Sequence, residues 1–458
     1  MILYVGRFST LLGTTLAGCL LSTTVGNLNS WTSPVLPKLE NLTSDNPFDH
    51  TITSSQASWL SSLLTLGAIL GCWFFGALSD IAGKRPVFIS LGLPLLLGYI
   101  LMASVGKIEA FYVARFAQGT AMGGLFALMN YLGEVSSKEN RGVVMTLTGM
   151  MVSAGALFSY VVGPFVSVNE FNAIMAVVPA VFLVVSYAFC AESPYFYLMK
   201  NEVELAKKSL RAFRGDGCDI DGEIDDMKVQ IKAQNEGSII DIVKTRGFLK
   251  AFTISIVLVT SQQFTGINAI LMYSQPILDL TNSGLSPEIG SMIIGAIQLL
   301  SGGITPLIIG KFGRKSIMLA SGLGMILSES ILGIYCIFQR SGADVDSINF
   351  LPLLTLAMFM LSYNFGFGPL CWMIPSEILP TRVKILATSF IVSVYFVVGF
   401  FIAQFFNPIV DAVGIGAVFV FFAVCCAVTC VFIKFYVIET VGKSLEEIQN
   451  YLNGAKGF

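Results

Sequence analysis

Residues 251–274 read AFTISIVLVTSQQFTGINAILMYS and contain no charged side chain. At about 1.5 Å rise per residue, a helix of this length crosses the roughly 30 Å hydrocarbon core of a bilayer. The stretch nevertheless carries Gln262, Gln263 and Asn268. Because an amide is costly in hydrocarbon without a hydrogen-bond partner, we expect these three side chains to have a purpose inside the membrane.

The composition of the whole chain also indicates a membrane protein. Of its 458 residues, 54% are hydrophobic and 12% are charged, and the mean hydropathy is +0.76. Soluble domains carry about 25% charged residues. We therefore expect a polytopic protein whose surroundings are the lipid bilayer. The net charge of −2 gives no indication of a nucleic-acid partner, and the nine cysteines lack metal-binding spacing, so neither metal nor cofactor is predicted.

Eleven other segments are apolar enough to be transmembrane helices, which predicts an all-α membrane protein with twelve spans. The run after Arg7 has the look of a signal peptide, but it continues to about residue 30, and we interpret it as the first span. The predicted spans are 8–30, 57–78, 86–104, 110–131, 143–164, 172–190, 251–274, 288–309, 316–337, 351–374, 385–407 and 415–438.

Lysine and arginine predict the orientation of these spans. With the N-terminus inside, 23 of the 27 basic residues fall in inside segments, which favours cytoplasmic termini. The sequon at Asn41 then lies in an outside loop, where it predicts a glycosylation site. The expected parts are an N-terminal six-helix bundle at 1–190, a cytoplasmic linker with short helices at 191–250 (for example 202–213 and 223–234), a C-terminal six-helix bundle at 251–438 and a cytoplasmic tail at 439–458.

The two halves repeat a set of charged motifs. Each pair occurs in the same order and at similar offset, which indicates a duplicated six-helix unit with a substrate site between the halves. The pairs are Asp80–Arg85 with Gly310–Lys315 (offset 230), Glu134 and Arg141 with Glu377 and Lys384 (offset 243), and Glu192 with Glu439 (offset 247).

Together these motifs closely resemble those of sugar porters of the major facilitator superfamily, over nearly the whole chain. Within that family the chain is most similar to the arthropod facilitated trehalose transporter-like and facilitative glucose transporter branch. The residues that carry the resemblance are Trp31–Pro34, Asp80, Gly83–Arg85, Arg115, Tyr131–Glu134, Arg141–Gly142, Glu192–Pro194, Gln262–Asn268, Gly313–Lys315, Gly366–Pro369, Trp372, Glu377, Glu439–Thr440 and Gly442–Ser444.

The resemblance implies facilitative transport of a sugar, trehalose or glucose, across the plasma membrane by alternating access. It implies a sugar site in which amides bind hydroxyls and an indole stacks on the ring: Gln262, Gln263, Asn268, Gln298, Asn364 and Trp372. It also implies a cytoplasmic gate of charged residues: Asp80, Arg85, Glu134, Arg141, Glu192, Arg314, Glu377, Arg382, Lys384 and Glu439. On spacing alone, the amides could instead bond neighbouring helices, and the charges could simply anchor helix ends.

Several positions depart from the family pattern. Asn364 stands where many members have glutamate, and Gly149 replaces a glutamine of hexose carriers, which either opens volume for a larger sugar or serves helix packing. Tyr395 and Phe396 stand where those carriers tend to have Asn and Trp. Residues 1–39 contain no Asp, Glu or His, and Leu28 stands near the place of the first-span aspartate of proton-coupled members. These departures favour uniport and leave the sugar open.

Three alternatives accompany this interpretation. A proton-coupled symporter needs a titratable group inside the membrane, for which Glu329 is the clearest candidate; we interpret it instead as a residue that forms a helix–helix hydrogen bond. A non-transporting sensor of the same fold usually adds a long tail, whereas about 20 residues follow the last span here. An enzyme is not expected, because the sequence shows no nucleophile–base set, metal cluster or phosphate loop. The oligomeric state is left open.

Overall fold

The computed structural model describes residues 6–42, 44–137, 139–215, 219–235, 239–281, 284–309, 312–443 and 445–453. These ranges are helical and turn structure, and none of them forms a β-strand. The apolar composition of the chain explains this, because a segment in lipid satisfies its backbone polar groups most simply within its own helix.

The first half of the chain contains the helices of six spanning segments. They are α1 (Gly6–Ser30), α2 (Thr32–Leu39), α3 (Ser54–Ala82), α4 (Lys84–Ser90), α5 (Gly92–Ser104), α6 (Ile108–Val135), α7 (Arg141–Val162) and α8 (Val168–Phe189), with a 3-10 turn at Gly163–Phe165.

Four short helices follow in the linker. They are α9 (Pro194–Met199), α10 (Val203–Arg214), α11 (Ile220–Asn235) and α12 (Ile239–Val243). The predicted helices at 202–213 and 223–234 correspond to α10 and α11. Ala206, Leu210 and Ile224 form a small apolar core between these helices and α9, which gives the linker a packed structure of its own.

The second half contains six further spanning segments, two of them broken. Its helices are α13 (Arg246–Gln263), α14 (Ile267–Leu280), α15 (Pro287–Ile309), α16 (Arg314–Arg340), α17 (Leu351–Ser362), α18 (Gly368–Ile378), α19 (Thr381–Val413), α20 (Ile415–Tyr436) and α21 (Leu445–Asn453), with a 3-10 turn at Asp346–Ile348 and a π-helical turn at Tyr363–Phe367.

All twelve predicted spans coincide with these helices, and the all-α fold class is confirmed. Ten of the helical segments in the described ranges are both long and apolar enough to cross a membrane. Several helices exceed the prediction at their ends: the segment predicted at 57–78 runs from Ser54 to Ala82. The extra turns follow from helix propensity and capping in the loops, which a hydropathy window does not detect.

The chain divides into two compact units. The first comprises Met1–Leu28, Leu63–Gly155 and Val166–Glu236, and the second comprises Asn29–Ser62, Ala156–Phe165 and Gly237–Phe458. Within the first unit α5 packs against α6 and α8, and within the second unit α16 packs against α20 and α13 against α19. The predicted division into six-helix bundles at 1–190 and 251–438 rests on the repeated sequence motifs and stays a prediction.

Candidate functional site

The amides of the seventh span lie at a break in the helix. α13 ends at Gln263 and α14 begins at Ile267, and between them Gly266 adopts φ +73°, a left-handed conformation that glycine reaches at no steric cost. The break turns Asn268 back toward α13, so that its Nδ2 donates to Gln263 Oε1 at 2.7 Å. A continuous helix would have kept these two amides on different faces.

Gln262 forms the centre of a hydrogen-bonded cluster in the second unit. Its Nε2 donates to the Tyr363 hydroxyl at 2.6 Å and to the Gly368 carbonyl at 3.1 Å. Its Oε1 accepts from the indole Nε1 of Trp372 at 3.0 Å. The Trp372 ring also meets Tyr395 edge to face, with centroids 5.2 Å apart. Gln262 is therefore buried, satisfied and in contact with the aromatic ring expected to stack on a sugar.

The π-helical turn of the tenth span contains Tyr363, which bonds Gln262, and Asn364, which contacts α15. It spans Tyr363–Phe367, directly before the Gly-Pro of α18. Within the turn, Asn364 Nδ2 donates to Ser301 Oγ at 2.9 Å and to the Gln298 carbonyl at 3.4 Å. Such turns are common at functional sites because they re-aim side chains. The predicted residues Asn364 and Gln298 are thus neighbours on facing helices.

Two buried amide atoms of the predicted site have no hydrogen-bond partner within the described residues. They are Gln263 Nε2, a donor, and Gln298 Oε1, an acceptor. An unsatisfied buried polar atom costs about 1–3 kcal/mol. A hydroxyl both donates and accepts, so a polyhydroxylated ligand has the chemistry to satisfy both atoms without introducing charge.

Two aromatic residues in this arrangement were missed as site residues. Tyr363 bonds Gln262, and the Tyr395 hydroxyl accepts weakly from Asn268 Nδ2 at 3.4 Å. The glycines and prolines after Tyr363 predict an interrupted helix, but not the direction in which its side chains point. For Tyr395, the sequence shows a departure from the hexose-carrier pattern but gives no indication of a site contact.

The charged residues of the predicted gate form a clamp in the first unit. We use "first clamp" for Lys84, Glu134, Glu192 and Ser193. The Glu192 carboxylate accepts from the main-chain N–H of Lys84 at 2.8 Å and from that of Arg85 at 3.1 Å, and Lys84 forms an ion pair with Glu134. Ser193 donates to Glu134 as well. The predicted gate includes Arg85 but not Lys84, which is the residue that pairs with Glu134.

The second unit repeats these contacts in a "second clamp" of Arg314, Glu377, Glu439 and Thr440. Glu439 accepts from the main-chain N–H of Arg314 at 3.0 Å, and Arg314 forms an ion pair with Glu377 and donates to Thr440 Oγ1 at 2.7 Å. The main-chain contact and the ion pair each have a counterpart in the first clamp at an offset of 230, 243 or 247 residues, whereas the hydroxyl differs: Ser193 bonds the carboxylate of its clamp and Thr440 bonds the guanidinium. The repeat of the motifs is therefore also a repeat of geometry.

Of the remaining gate residues, Arg141 and Lys384 occupy equivalent places in the two units, and Asp80 and Arg382 do not. Arg141 Nε donates to the Gly133 carbonyl at 2.8 Å, and Lys384 donates to the carbonyl of Ser376, eight residues before it in each case. Asp80 is exposed at the end of α3, and one terminal nitrogen of Arg382 is buried without a described partner. Gly310, the counterpart of Asp80, lies outside the described residues.

A second polar arrangement surrounds the kink of α14. Tyr273 leaves helical geometry at φ −124°, which frees backbone groups of its neighbours. The Tyr160 hydroxyl donates to the Leu271 carbonyl at 2.7 Å, Thr32 Oγ1 donates to the Met272 carbonyl at 2.8 Å, and Ser33 Oγ accepts from Gln275 N–H at 3.0 Å. All are buried. The Trp31–Pro34 motif thus holds the second half of the broken helix.

Arg115 is completely buried in the first unit, where its guanidinium donates through both terminal nitrogens to the Leu28 carbonyl at 3.2 Å. Glu329, between α16 and α20, is only 1% exposed, and both carboxylate oxygens lack a hydrogen bond within the described residues. The carboxylate faces the Cys426 thiol of α20, so Glu329 does lie at a helix–helix contact, and its interhelical hydrogen bond stays a prediction.

Asn41 is exposed just after α2, and its Nδ2 donates to the Pro37 carbonyl at 2.8 Å. Thr43, which completes the sequon, lies outside the described residues. Glycosylation of Asn41 stays a prediction.

A helical membrane protein with uncharged polar groups collected at broken helices and a duplicated motif set has the architecture of a secondary transporter. The comparisons with known proteins agree. The model of the family described as "Sugar (and other) transporter" matches residues 8–452, and the chain belongs to this family of transporters, which are not enzymes.

Among its relatives is the facilitated trehalose transporter Tret1 of Bombyx mori, 30% identical over 431 residues that cover 93% of this chain and 84% of that protein. The Tret1-2 homolog of Drosophila sechellia is 30% identical over 440 residues, covering 95% of this chain and 89% of the relative. Among solved structures, the xylose transporter XylE from E. coli, in a partially occluded inward-open conformation, superposes with a TM-score of 0.78 at 20% identity, covering 95% and 100% of the two chains. The last likeness establishes the major facilitator fold.

Proposed function

We propose that this protein is a uniporter that equilibrates trehalose or glucose across the plasma membrane by alternating access. The observation that carries the proposal is the cluster of Gln262, Gln263, Asn268 and Trp372 in a chain of the sugar transporter family. The cluster offers amide and indole groups and no charged group, which suits a neutral polyhydroxylated cargo. The trehalose activity named for the relatives favours that sugar.

The binding chemistry follows from the geometry. Two side-chain atoms, Gln263 Nε2 and Gln298 Oε1, are free to bond a ligand within the described residues. Gln262 accepts a hydrogen bond from the indole N–H of Trp372, which keeps the ring in one orientation. Sugar hydroxyls replace their water at such atoms, while the apolar face of the sugar ring packs on an indole. A carrier must also release its cargo, so weak binding is enough: a dissociation constant of about 1 mM corresponds to a binding free energy of about −4 kcal/mol.

The absence of a proton requirement is the second part of the proposal. Residues 1–39 carry no titratable acid or histidine, and the Leu28 carbonyl accepts both hydrogen bonds from Arg115 at the place where proton-coupled members have an aspartate. The tenth span offers Asn364, which does not titrate. A symporter that used Glu329 is the competing mechanism.

The proposal also includes the orientation of the protein in the membrane and the bounds of its two bundles. The basic residues favour cytoplasmic termini and a cytoplasmic position for both clamps. The six-helix halves 1–190 and 251–438 would then alternate about the linker 191–250, with 439–458 as a cytoplasmic tail. The clamps would hold the cytoplasmic ends of the helices in one of the two conformations.

Uptake by reconstituted proteoliposomes tests the mechanism. We expect labelled trehalose or glucose to equilibrate to the outside concentration at a rate indifferent to an inward proton gradient, in both the wild type and Glu329→Gln. Accumulation above the outside level that is lost in Glu329→Gln would replace uniport with symport. Binding without uptake, measured on the same preparation, would instead indicate a sensor.

A further inference from the structure

A cleft in the first unit is lined by no residue of the amide cluster and by no member of either ion pair. Its volume is about 810 Å³, within the roughly 300–1,000 Å³ typical of ligand sites. It is open on one side and lies where α4 begins and α8 ends, with the linker helix α10 as its third wall. Such a position, at the end of two spanning helices, is the boundary between hydrocarbon and headgroups.

The cleft is apolar at one end and basic at the other. Ile89, Leu93 and Leu183 form the apolar part, and Leu93 is 51% exposed on the surface of its spanning segment. Arg85 and Lys208 line the basic part. This division along one cleft matches an amphiphile with an anionic head and an apolar chain.

The basic end contains a buried donor without an acceptor. Arg85 Nη2 donates to the Tyr187 carbonyl at 3.2 Å, but Nε is buried and has no partner within the described residues. The nearby Glu192 carboxylate already accepts main-chain N–H groups of Lys84, Arg85 and Ser193. An anionic oxygen entering the cleft would therefore meet the Arg85 guanidinium, whose unused Nε becomes available when the side chain shifts.

Glu192 also lines the cleft, and its negative charge is partly offset by three main-chain N–H donors, while the remaining polar groups do not oppose an anion. α10 is amphipathic: it buries Ala206, Leu210 and Phe213 and exposes Lys208. Burial, together with the carboxylates of Glu192 and Glu202, raises the pKa of the Tyr197 phenol, so this hydroxyl stays neutral and able to donate. Lys207, next to Lys208, is already paired with Asp221 at 2.7 Å.

We propose that this cleft binds the phosphate of an anionic phospholipid between Arg85 and Lys208, with an acyl chain along Ile89, Leu93 and Leu183. Basic pockets at the ends of transmembrane helices recognise lipid headgroups in this way, and arginine suits phosphate because its donors form a planar fork. The bound lipid would link the linker helix α10 to α4, which carries the first clamp. This site is independent of the sugar and of the proposed uniport.

Photolabelling of the full-length protein in vesicles tests the site. The probes are phosphatidylglycerol and phosphatidylcholine that carry a diazirine in the acyl chain, each diluted into phosphatidylcholine vesicles. We expect phosphatidylglycerol to label the peptides that contain residues 89–93 and 183 several-fold more than phosphatidylcholine. Lys208→Gln should reduce that excess at least threefold, and Lys208→Arg should keep it.

Arg211→Gln is the matched control, because it removes the same charge from the exposed face of the same helix without lining the cleft. It should leave the labelling unchanged. Equal labelling by the two lipids, or an equal loss in both variants, would show ordinary annular lipid and overturn the proposal. If millimolar inorganic phosphate abolished the excess, the site would be one for a soluble anion. Size-exclusion profiles confirm that each variant is folded.

Discussion

At the residue scale, the contacts of Gln262 are compatible with both roles that the sequence presented as alternatives, helix bonding and sugar binding. It bonds other helices through Tyr363 and Gly368, and it also orients Trp372. An amide that is already satisfied by protein can exchange one of these partners for a sugar hydroxyl at little net cost, since the number of hydrogen bonds is conserved. Helix packing and sugar binding are therefore compatible at this position.

We predict that Gln262→Ala lowers sugar uptake at least tenfold while the protein still reaches the membrane. The substitution removes a ligand and leaves the Trp372 indole N–H and the Tyr363 hydroxyl without their partner, each at a cost of about 1–3 kcal/mol. Uptake per surface-labelled molecule is the measurement. Gln275→Ala is the control, because Gln275 is a buried amide in the same span that bonds Ser291 instead of the cluster. Equal losses in the two variants would assign Gln262 to packing alone.

Gly149 is a second residue whose surroundings bear on the sugar. A Cβ added there meets no atom within 4 Å, so the position faces open space rather than a packed neighbour. Within the described residues Gly149 therefore makes no close helix contact, which speaks against a packing role, and its interpretation as added volume stays a prediction.

We predict that Gly149→Gln selects against the larger sugar. The new side chain fits the helix, where glutamine is favoured over glycine by about 1 kcal/mol, and it reduces the open volume beside α7. Trehalose uptake should fall at least fivefold relative to glucose uptake. Gly142→Gln, which also faces open space on α7, should leave the ratio unchanged. A proportional loss of both sugars in Gly149→Gln would contradict a role in selectivity.

At the scale of elements, the sequence predicts where helices exist better than where they break. Apolar runs with few charges locate all twelve spans, because charged side chains are costly in the hydrocarbon core. Gly266 predicts the break in the seventh span for an equally local reason. The pairing of Asn268 with Gln263 also follows once the helix is broken. By contrast, the contacts of Gln262 with Tyr363 and of Thr32 with Met272 join distant segments, and local pattern contains no signal for them.

The break at Gly266 leads to a prediction for Gly266→Ala. At φ +73° an alanine costs roughly 1–2 kcal/mol, and its Cβ would lie 2.6 Å from the ring of Phe422. We expect a melting temperature several degrees lower in detergent and uptake reduced at least fivefold, because Asn268 would move away from Gln263. Gly133→Ala, at a helical glycine with open surroundings, should change neither. An unaltered melting temperature in Gly266→Ala would mean that the break tolerates a side chain.

At the scale of the whole molecule, the duplication supplies each unit with the same clamp. Lys84 with Glu134 and Arg314 with Glu377 are partly buried ion pairs, with exposed side-chain fractions of 13% and 21% in the first and 16% and 21% in the second. An exposed pair contributes about 0–1 kcal/mol, and breaking a buried one costs about 3–5 kcal/mol. Intermediate burial places each clamp at about 1–2 kcal/mol, the scale on which two conformations can be biased without being locked.

If both clamps act on one conformational equilibrium, charge exchange in either unit should rescue its own single substitutions. We predict that Lys84→Glu and Glu134→Lys each reduce uptake severalfold and that the double variant recovers most of it. Arg314→Glu with Glu377→Arg should behave the same way, because the partners and their main-chain anchors are equivalent. Double-mutant cycles on uptake rates measure the coupling, expected near 1 kcal/mol and of the same sign in both units. Coupling in one unit only would show that the duplicated geometry no longer serves a duplicated function, and that one clamp alone sets the balance between conformations.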